Sequence, residues 1–386
     1  MKIGIDGSRA FLENKTGIEG YAYQTIIYLA KRLKDEQVIL YVRKGQKEKA
    51  LQDEKLSFPA NWEIKEVPMK YLWTQFGLAL EMFLNPIDVL FVPAHTVPFI
   101  HPRNTIVTIH GLEYEHCPES YSFLGGTFHR FFVKKSCKWS SKIIAVSKNT
   151  KKDLVELYKI EKEKIAVIYN GYDEKELSLN EKKMEEGEKS FNWADVKNFS
   201  ISEKKSRSKS GEFLLFVGRL EQRKNIIGII EAFEILKKKY DYRGKLVLAG
   251  KYGHGGGLIR KRVASSEFQH DIICLGYIRD EQRRELFHSA SVFLFPSLCE
   301  GFGIPIIEAQ SCGLPLITSN YGPMDEVADN DDVLVDPLNF EEMAEKIDKI
   351  LKDKTFRDQI IQKGKENIKR FSWEKSGEEV AKILVK

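Results

Sequence analysis

Two glutamates eight residues apart, Glu300 and Glu308, are the only charges in the stretch LFPSLCEGFGIPIIEAQSCGLPLITSN, Leu294 to Asn320. Carboxylates accept hydrogen bonds and donate none, so they suit partners that carry hydroxyls. Gly301 and Gly303 weaken a continuous helix here, and Pro305 turns Ile304 away from helical geometry. The pattern predicts a strand at SVFLFP, a loop carrying Glu300, and a short helix from near Pro305 that Gly313 and Pro315 end. Glu308 is then expected in the first helical turn, where the helix dipole favours a carboxylate. The backbone N–H groups of Gly301, Phe302, Gly303 and Ile304 would stand at a helix start, which suits a phosphate or a polyhydroxylated group. A capped connecting loop, with Glu308 only complementing the dipole, satisfies the same residue types.

A second strand–turn–helix segment, LLFVGRLEQRKNIIGIIEAF, puts Arg219 and Lys224 in its turn. The arginine fork and the lysine point charge are ordinary partners of a diphosphate. With an acceptor-bearing loop at another strand end, the two cations favour a sugar-nucleotide site over solvated surface.

These side chains need a frame that brings strand ends together. Apolar runs (KIGID, QVILYVR, DVLFVP, NTIVTIH, SKIIAVS and KIAVIYNG, then EFLLFVGR, KLVLAG, DIICLGYI, SVFLFP and LPLITSN) alternate with segments of helical spacing. Strands that are apolar throughout and joined by helices indicate parallel sheets covered on both faces. A chain of 386 residues exceeds one ordinary core. The expected fold is α/β, with two doubly wound Rossmann-like domains facing a central cleft. The expected boundaries are 1–172 for the first domain and 211–370 for the second, with a final helix at 371–386. Residues 173–210, rich in Lys, Glu and Ser, read as a charged linker or insertion.

The net charge of +5 is too small to point to nucleic acid, and is compatible with anionic substrates or an anionic membrane surface. No apolar run reaches the ~18 residues of a membrane span, and the N-terminus lacks a signal-peptide core. A cytoplasmic protein is expected. The five cysteines lack the paired spacing of a zinc site. Asp329-Asn330-Asp331 has the letters of a D-x-D metal motif but sits in a polar stretch after a helix, so a turn is expected. AGKYGHGGGLIRKR fails the third glycine of a dinucleotide fingerprint. FHRFFVKKSCKWSSK reads either as a helix lying on an anionic membrane face or as one with Phe131, Phe132 and Trp139 in the core.

The pairing of GRLEQRK with CEGFGIPIIEAQSCGLPLITSNYGPMDEV resembles the retaining, nucleotide-sugar-dependent glycosyltransferases of family 4, which have the GT-B fold. Their E-x7-E signature is matched by Glu300 and Glu308. DGSRAFLENKTGIEGYAYQTI, YLWTQFG, TIHGLEYEHCPE, AVSKNTKKDL and VIYNGYD look like landmarks of that family's first domain. RFSWEKSGEEVAKIL looks like the helix that crosses back onto it. The resemblance implies that Arg219 and Lys224 bind the donor diphosphate, and that Glu300 with the backbone of Gly301, Phe302 and Gly303 holds the donor sugar. It also implies Glu308 at the ribose, Ile278 and Asp280 by the base, Gly17 in a flexible loop near the phosphates, and His110 facing the sugar. The family often reads His-Asp where this chain has His110-Gly111. Implied partners are a nucleotide diphosphate sugar and a glycan or lipid-linked acceptor, with peripheral membrane contact, no nucleic acid, no metal and no further cofactor. The landmarks look closest to mannosyl- or rhamnosyl-transferring members. An epimerase of the same fold and a non-catalytic sugar-nucleotide-binding subunit remain as alternatives.

Overall fold

The computed structural model describes residues 1–12, 17–69, 71–173, 177 and 212–386. The proposed linker therefore lies outside the described residues, apart from Asp173 and Leu177. The chain divides into two compact units, Met1–Gly171 with Phe371–Lys386, and Tyr172–Arg370.

The first unit holds a parallel sheet of β1 (Lys2–Asp6), β2 (Gln37–Arg43), β3 (Trp62–Val67), β4 (Val89–Val92), β5 (Asn104–Ile109), β6 (Lys142–Ala145) and β7 (Ile165–Val167). Their order is β3-β2-β1-β4-β5-β6-β7. In β2, Val38, Leu40 and Val42 face one apolar layer, while Ile39 and Tyr41 face the other. Burial on both faces is why this strand is apolar throughout. The edge strand β3, WEIKEV, mixes buried Trp62, Ile64 and Val67 with less buried Glu63, Lys65 and Glu66, so its sequence lacks the continuous run. The helix Trp373–Leu384 packs on the helix Gly17–Arg32. The approach is close: a Cβ on Gly377 would lie 2.4 Å from the Cβ of Tyr28. Gly17 is the first residue of its helix, which corrects the expectation of a flexible loop at that position.

The second unit repeats the plan with β8 (Phe213–Val217), β9 (Lys245–Ala249), β10 (Ile272–Gly276), β11 (Val292–Phe295), β12 (Leu316–Ser319) and β13 (Leu334–Val335). The order β10-β9-β8-β11-β12-β13 reverses direction between β8 and β11. Open α/β sheets bind ligands beyond the carboxyl ends of the strands at such a reversal. The turn with Arg219 and Lys224 follows β8, and the loop with Glu300 follows β11. Both segments therefore leave the sheet at its switch point. Among the described residues, no helix is long and apolar enough to cross a membrane.

Candidate active site

The chain leaves β8 through Gly218 and β9 through Gly250, both at positive φ. A Cβ on Gly250 would sit 1.8 Å from the Gly218 carbonyl oxygen, so only glycine permits this backbone contact. The turn continues through a 3-10 segment, Gln222–Lys224, to Asn225 in the left-handed region. Asn225 Nδ2 donates to the Pro337 carbonyl at 2.7 Å and anchors the start of the helix Ile226–Lys239. The loop after β11 is tied to this turn by Leu298 N, which donates to the Arg223 carbonyl at 2.8 Å.

That tie sets up a chain of charges. Glu300 Oε1 is paired with Lys224 Nζ, and its Oε2 lies 3.3 Å from Arg223 Nη1. Arg223 Nη1 also donates to the Cys299 carbonyl at 3.2 Å. Glu221 bridges onward, with Oε2 3.0 Å from Arg223 Nε and Oε1 3.0 Å from Arg219 Nε. Three cations and two carboxylates leave one net positive charge. The Lys224–Glu300 end is buried, whereas the Arg219 side chain is 59% exposed. Burial alone would raise the Glu300 pKa, but Lys224 and Arg223 outweigh it and hold the carboxyl below its ordinary value. Burial pulls the Lys224 pKa down against the opposing pull of Glu300. The ammonium also lies 4.9 Å from the centre of the Phe295 ring, which favours its charged form. The pair is ionic.

The helix predicted from Pro305 spans Ile304–Ser311, with Gly303 before it at φ +102 and Pro305 in its first turn. Glu308 lies past that first turn, contrary to expectation. What holds it is a side chain: Arg283 Nη1 stands 2.6 Å from Glu308 Oε1. Arg283 Nη2 also reaches Asp280 Oδ1 at 3.3 Å. Asp280 begins the helix Asp280–Ser289, and Ile278 is in the connection from β10 just before it. Arg283 therefore joins two of the predicted donor-site residues.

His110 and Gly17 belong to the first unit. His110, just beyond β5, is buried, with Nε2 2.7 Å from the Pro93 carbonyl. A carbonyl only accepts, so Nε2 carries the proton and Nδ1 presents a lone pair. Burial pushes the imidazole down to about 4, against the opposing effects of the Pro93 hydrogen bond and of Glu19, so it is neutral at pH 7. The Tyr21 ring meets it edge-on at 4.7 Å and the His95 ring lies at 5.2 Å. Gly111 has φ +147, which explains why a glycine stands where an aspartate would be strained.

Asp329 closes the helix Pro323–Ala328 in the left-handed region, and the Asn330 side chain accepts from Asp332 N, so the D-x-D letters form a turn. Phe131 is 52% exposed, which corrects the reading that buried it in the core, while Phe132 and Trp139 are half-buried. Glu221, Arg223 and Arg283 are the side chains that sequence reasoning missed. Arg223 and Arg283 reach carboxylates 77 and 25 residues away, which no local spacing encodes.

Comparison with known proteins agrees with the two-unit parallel α/β fold. The model described as Glycosyltransferase Family 4 matches residues 16–176, and that described as Glycosyl transferases group 1 matches 198–367. The chain is 34% identical over 162 residues to O-antigen chain mannosyltransferase B of Escherichia coli, a match spanning 42% of each chain. It is 27% identical over 281 residues to an uncharacterized glycosyltransferase of Methanocaldococcus jannaschii, covering 72% of this chain and 68% of the other. A structure of Anabaena HepE in complex with UDP and glucose superposes with a TM-score of 0.71 at 17% identity, covering 100% of this chain and 99% of that one, a likeness of fold. With the two models met in succession along a two-unit parallel α/β frame, the chain belongs to the family 4-like glycosyltransferases of GT-B fold.

Proposed function

We propose that this glycosyltransferase moves a hexose, mannose being the sugar named for its E. coli relative, from a nucleotide diphosphate donor to a glycan or lipid-linked acceptor. Transfer proceeds with retention and without a metal ion. A lipid-linked acceptor would place the enzyme at the inner face of a membrane.

The carrying observation is the charge chain Arg219–Glu221–Arg223–Glu300–Lys224 beyond the ends of β8 and β11. When the bond between the sugar C1 and the phosphate oxygen breaks, its electron pair goes to the phosphate. Fixed cations there stabilise the transition state more than the ground state. Arg219 and Lys224 supply the positive charge that a metal would otherwise bring. The acceptor oxygen forms the new bond to C1 on the leaving-group face and passes its proton to the departing phosphate oxygen. Glu300, with the backbone of Gly301, Phe302, Gly303 and Ile304, orients the sugar hydroxyls and is not the nucleophile. Glu308 accepts from the ribose, Ile278 and Asp280 lie by the base, and the amide of Gly17 meets a phosphate. His110, neutral, accepts a sugar hydroxyl at Nδ1.

The test begins with thermal unfolding in UDP, GDP, ADP, dTDP, CMP or NAD, each with and without EDTA. A ligand bound only by the native state adds about 2.7 kcal/mol at a hundred times its dissociation constant. A shift with one nucleoside diphosphate that survives EDTA is expected, and names the donor for a transfer assay. A shift that needs divalent metal would overturn metal independence, and a shift with NAD alone would overturn the site. Release of a different sugar without acceptor would identify an epimerase. Binding without turnover on any glycan or lipid-linked acceptor would favour the non-catalytic subunit.

A further inference from the structure

The sheet of the first unit has a switch point of its own, between β1 and β4, where its strand order reverses. Ligands of open α/β sheets lie beyond the carboxyl ends of the strands at such a place. The charge chain from Arg219 to Lys224 and Glu300 belongs to the second unit. The first unit therefore offers a binding position of its own, and β4 leads into it through Pro93-Ala94-His95-Thr96.

His95 stands there in a conformation that few side chains adopt. Its φ is +52, and Thr96 N donates to the Ala94 carbonyl at 2.6 Å, so the chain reverses in a three-residue turn centred on it. A side chain at the centre of such a turn is strained, and the strain persists only where the surroundings hold it. Here they hold it from both sides. Before the turn, His110 Nε2 donates to the Pro93 carbonyl at 2.7 Å, and His95 N donates to the Thr108 carbonyl at 3.1 Å. After it, Val97 N donates to Ser136 Oγ at 2.9 Å, and the Val97 carbonyl accepts from Gln75 Nε2 at 3.1 Å. The fold thus pins a turn that a glycine would form without strain.

What the turn presents is an imidazole with nothing to bond. Neither ring nitrogen of His95 has a hydrogen-bond partner among the described residues; Nδ1 is enclosed and Nε2 is not. Burial, and then His110, His129 and Arg9, push its pKa well below the ordinary 6.5, so the ring is neutral at pH 7. A neutral imidazole donates from one nitrogen and accepts at the other, which matches a hydroxyl, itself both donor and acceptor. It has no charge to offer a phosphate, and Arg9 is already paired with Glu19 at 3.2 Å.

We propose that His95 is the acceptor-recognising side chain of this protein, its ring holding a hydroxyl of the sugar that receives the hexose. The assignment rests on the transferase reading, and it puts acceptor recognition at the end of β4. A histidine kept only for the fold would sit in relaxed backbone with its nitrogens bonded, and His95 has neither.

Saturation-transfer NMR of the full chain with methyl glycosides of mannose, glucose, galactose and N-acetylglucosamine tests this, beside melting curves with UDP, GDP, ADP and dTDP. At least one glycoside should take up saturation from the wild type. His95→Gly should raise its dissociation constant about tenfold, the worth of one hydrogen bond. The same variant should melt no lower than the wild type, because glycine relieves the turn. His95→Asn, whose short side chain tolerates positive φ, should also fold and weaken the glycoside. The melting shift given by a nucleoside diphosphate should be the same in all three proteins. The proposal fails if no glycoside takes up saturation, or if both variants bind it as the wild type does. It fails equally if both variants melt well below the wild type, which would make His95 a structural residue. Absence of a shift with every diphosphate in the wild type would instead overturn the transferase reading.

Discussion

Lys224 and Glu300 lie 76 residues apart in the chain and meet in a buried ion pair, with Arg223 on the other carboxylate oxygen. The side chains of the pair are 11% and 8% exposed. Removing one partner leaves the other charged and desolvated, which costs about 3–5 kcal/mol for a buried pair. Lys224→Ala should therefore lower stability by that order, and adding Glu300→Gln should restore part of the loss. Urea unfolding of the two singles and the double measures the coupling. Simple additivity would mean that the two charges do not depend on each other.

Glu300→Gln alone keeps the side-chain shape and one acceptor oxygen. It is expected to fold, with a smaller stability loss than Lys224→Ala because the amide oxygen still accepts from Lys224, and to cut sugar transfer at least about a hundredfold, in the range seen when one fixed polar contact to a transition state is lost. Initial rates with the cognate donor, beside a melting curve, check both halves of that statement.

Arg219 is the exposed end of the charge chain. Replacing it with alanine should change stability by no more than about 0.5 kcal/mol, as for an ordinary surface position. Affinity for the nucleoside diphosphate should fall roughly tenfold to a hundredfold, the worth of a hydrogen bond to a charged group. Calorimetric titration reads the affinity directly. Unchanged binding would remove Arg219 from the diphosphate site.

Arg283 touches Glu308 and Asp280, and in the proposed donor site it acts through them as a positioning residue. Arg283→Met should weaken nucleoside diphosphate binding about tenfold by freeing the Glu308 carboxylate. A 2′,3′-dideoxy analogue, which lacks the hydroxyls that Glu308 would accept from, should lose little. Equal losses for the two ligands would show that Arg283 does not work through the ribose.

His110 makes stability depend on pH. Its folded pKa is held near 4 by burial, below the ordinary 6.5. Between these values the unfolded chain binds a proton that the folded chain excludes, so stability is complete above pH 6.5 and is lost as pH falls towards 4. The contribution is on the order of 3 kcal/mol. His95, also pushed down by burial, adds in the same direction. The fall in melting temperature across this range should be shallower in His110→Gln than in the wild type.

The strands around the site were legible because each is buried on both faces, and such a strand must be apolar along its whole length. β2, β8 and β11 have that composition, whereas the edge strand β3 was missed because three of the six residues of its WEIKEV are charged. The loop at Glu300 was legible through Gly303 and Pro305, whose backbone preferences act locally. The Gly17 expectation failed because a glycine is equally at home in a loop and at a helix start. Phe131 failed for a related reason: helical periodicity groups residues onto faces but does not say which apolar face is covered.

Residue order alone thus determined the parallel α/β plan and the charged strand ends, since these follow from burial patterns and local backbone preference. Partnership was left to the tertiary structure. Lys224 and Arg223 reach Glu300 because β8 lies beside β11, and Arg283 reaches Glu308 from a different helix. An ion pair is chosen by distance in space, and a carboxylate in a sequence has the same charge whichever cation the fold sets beside it.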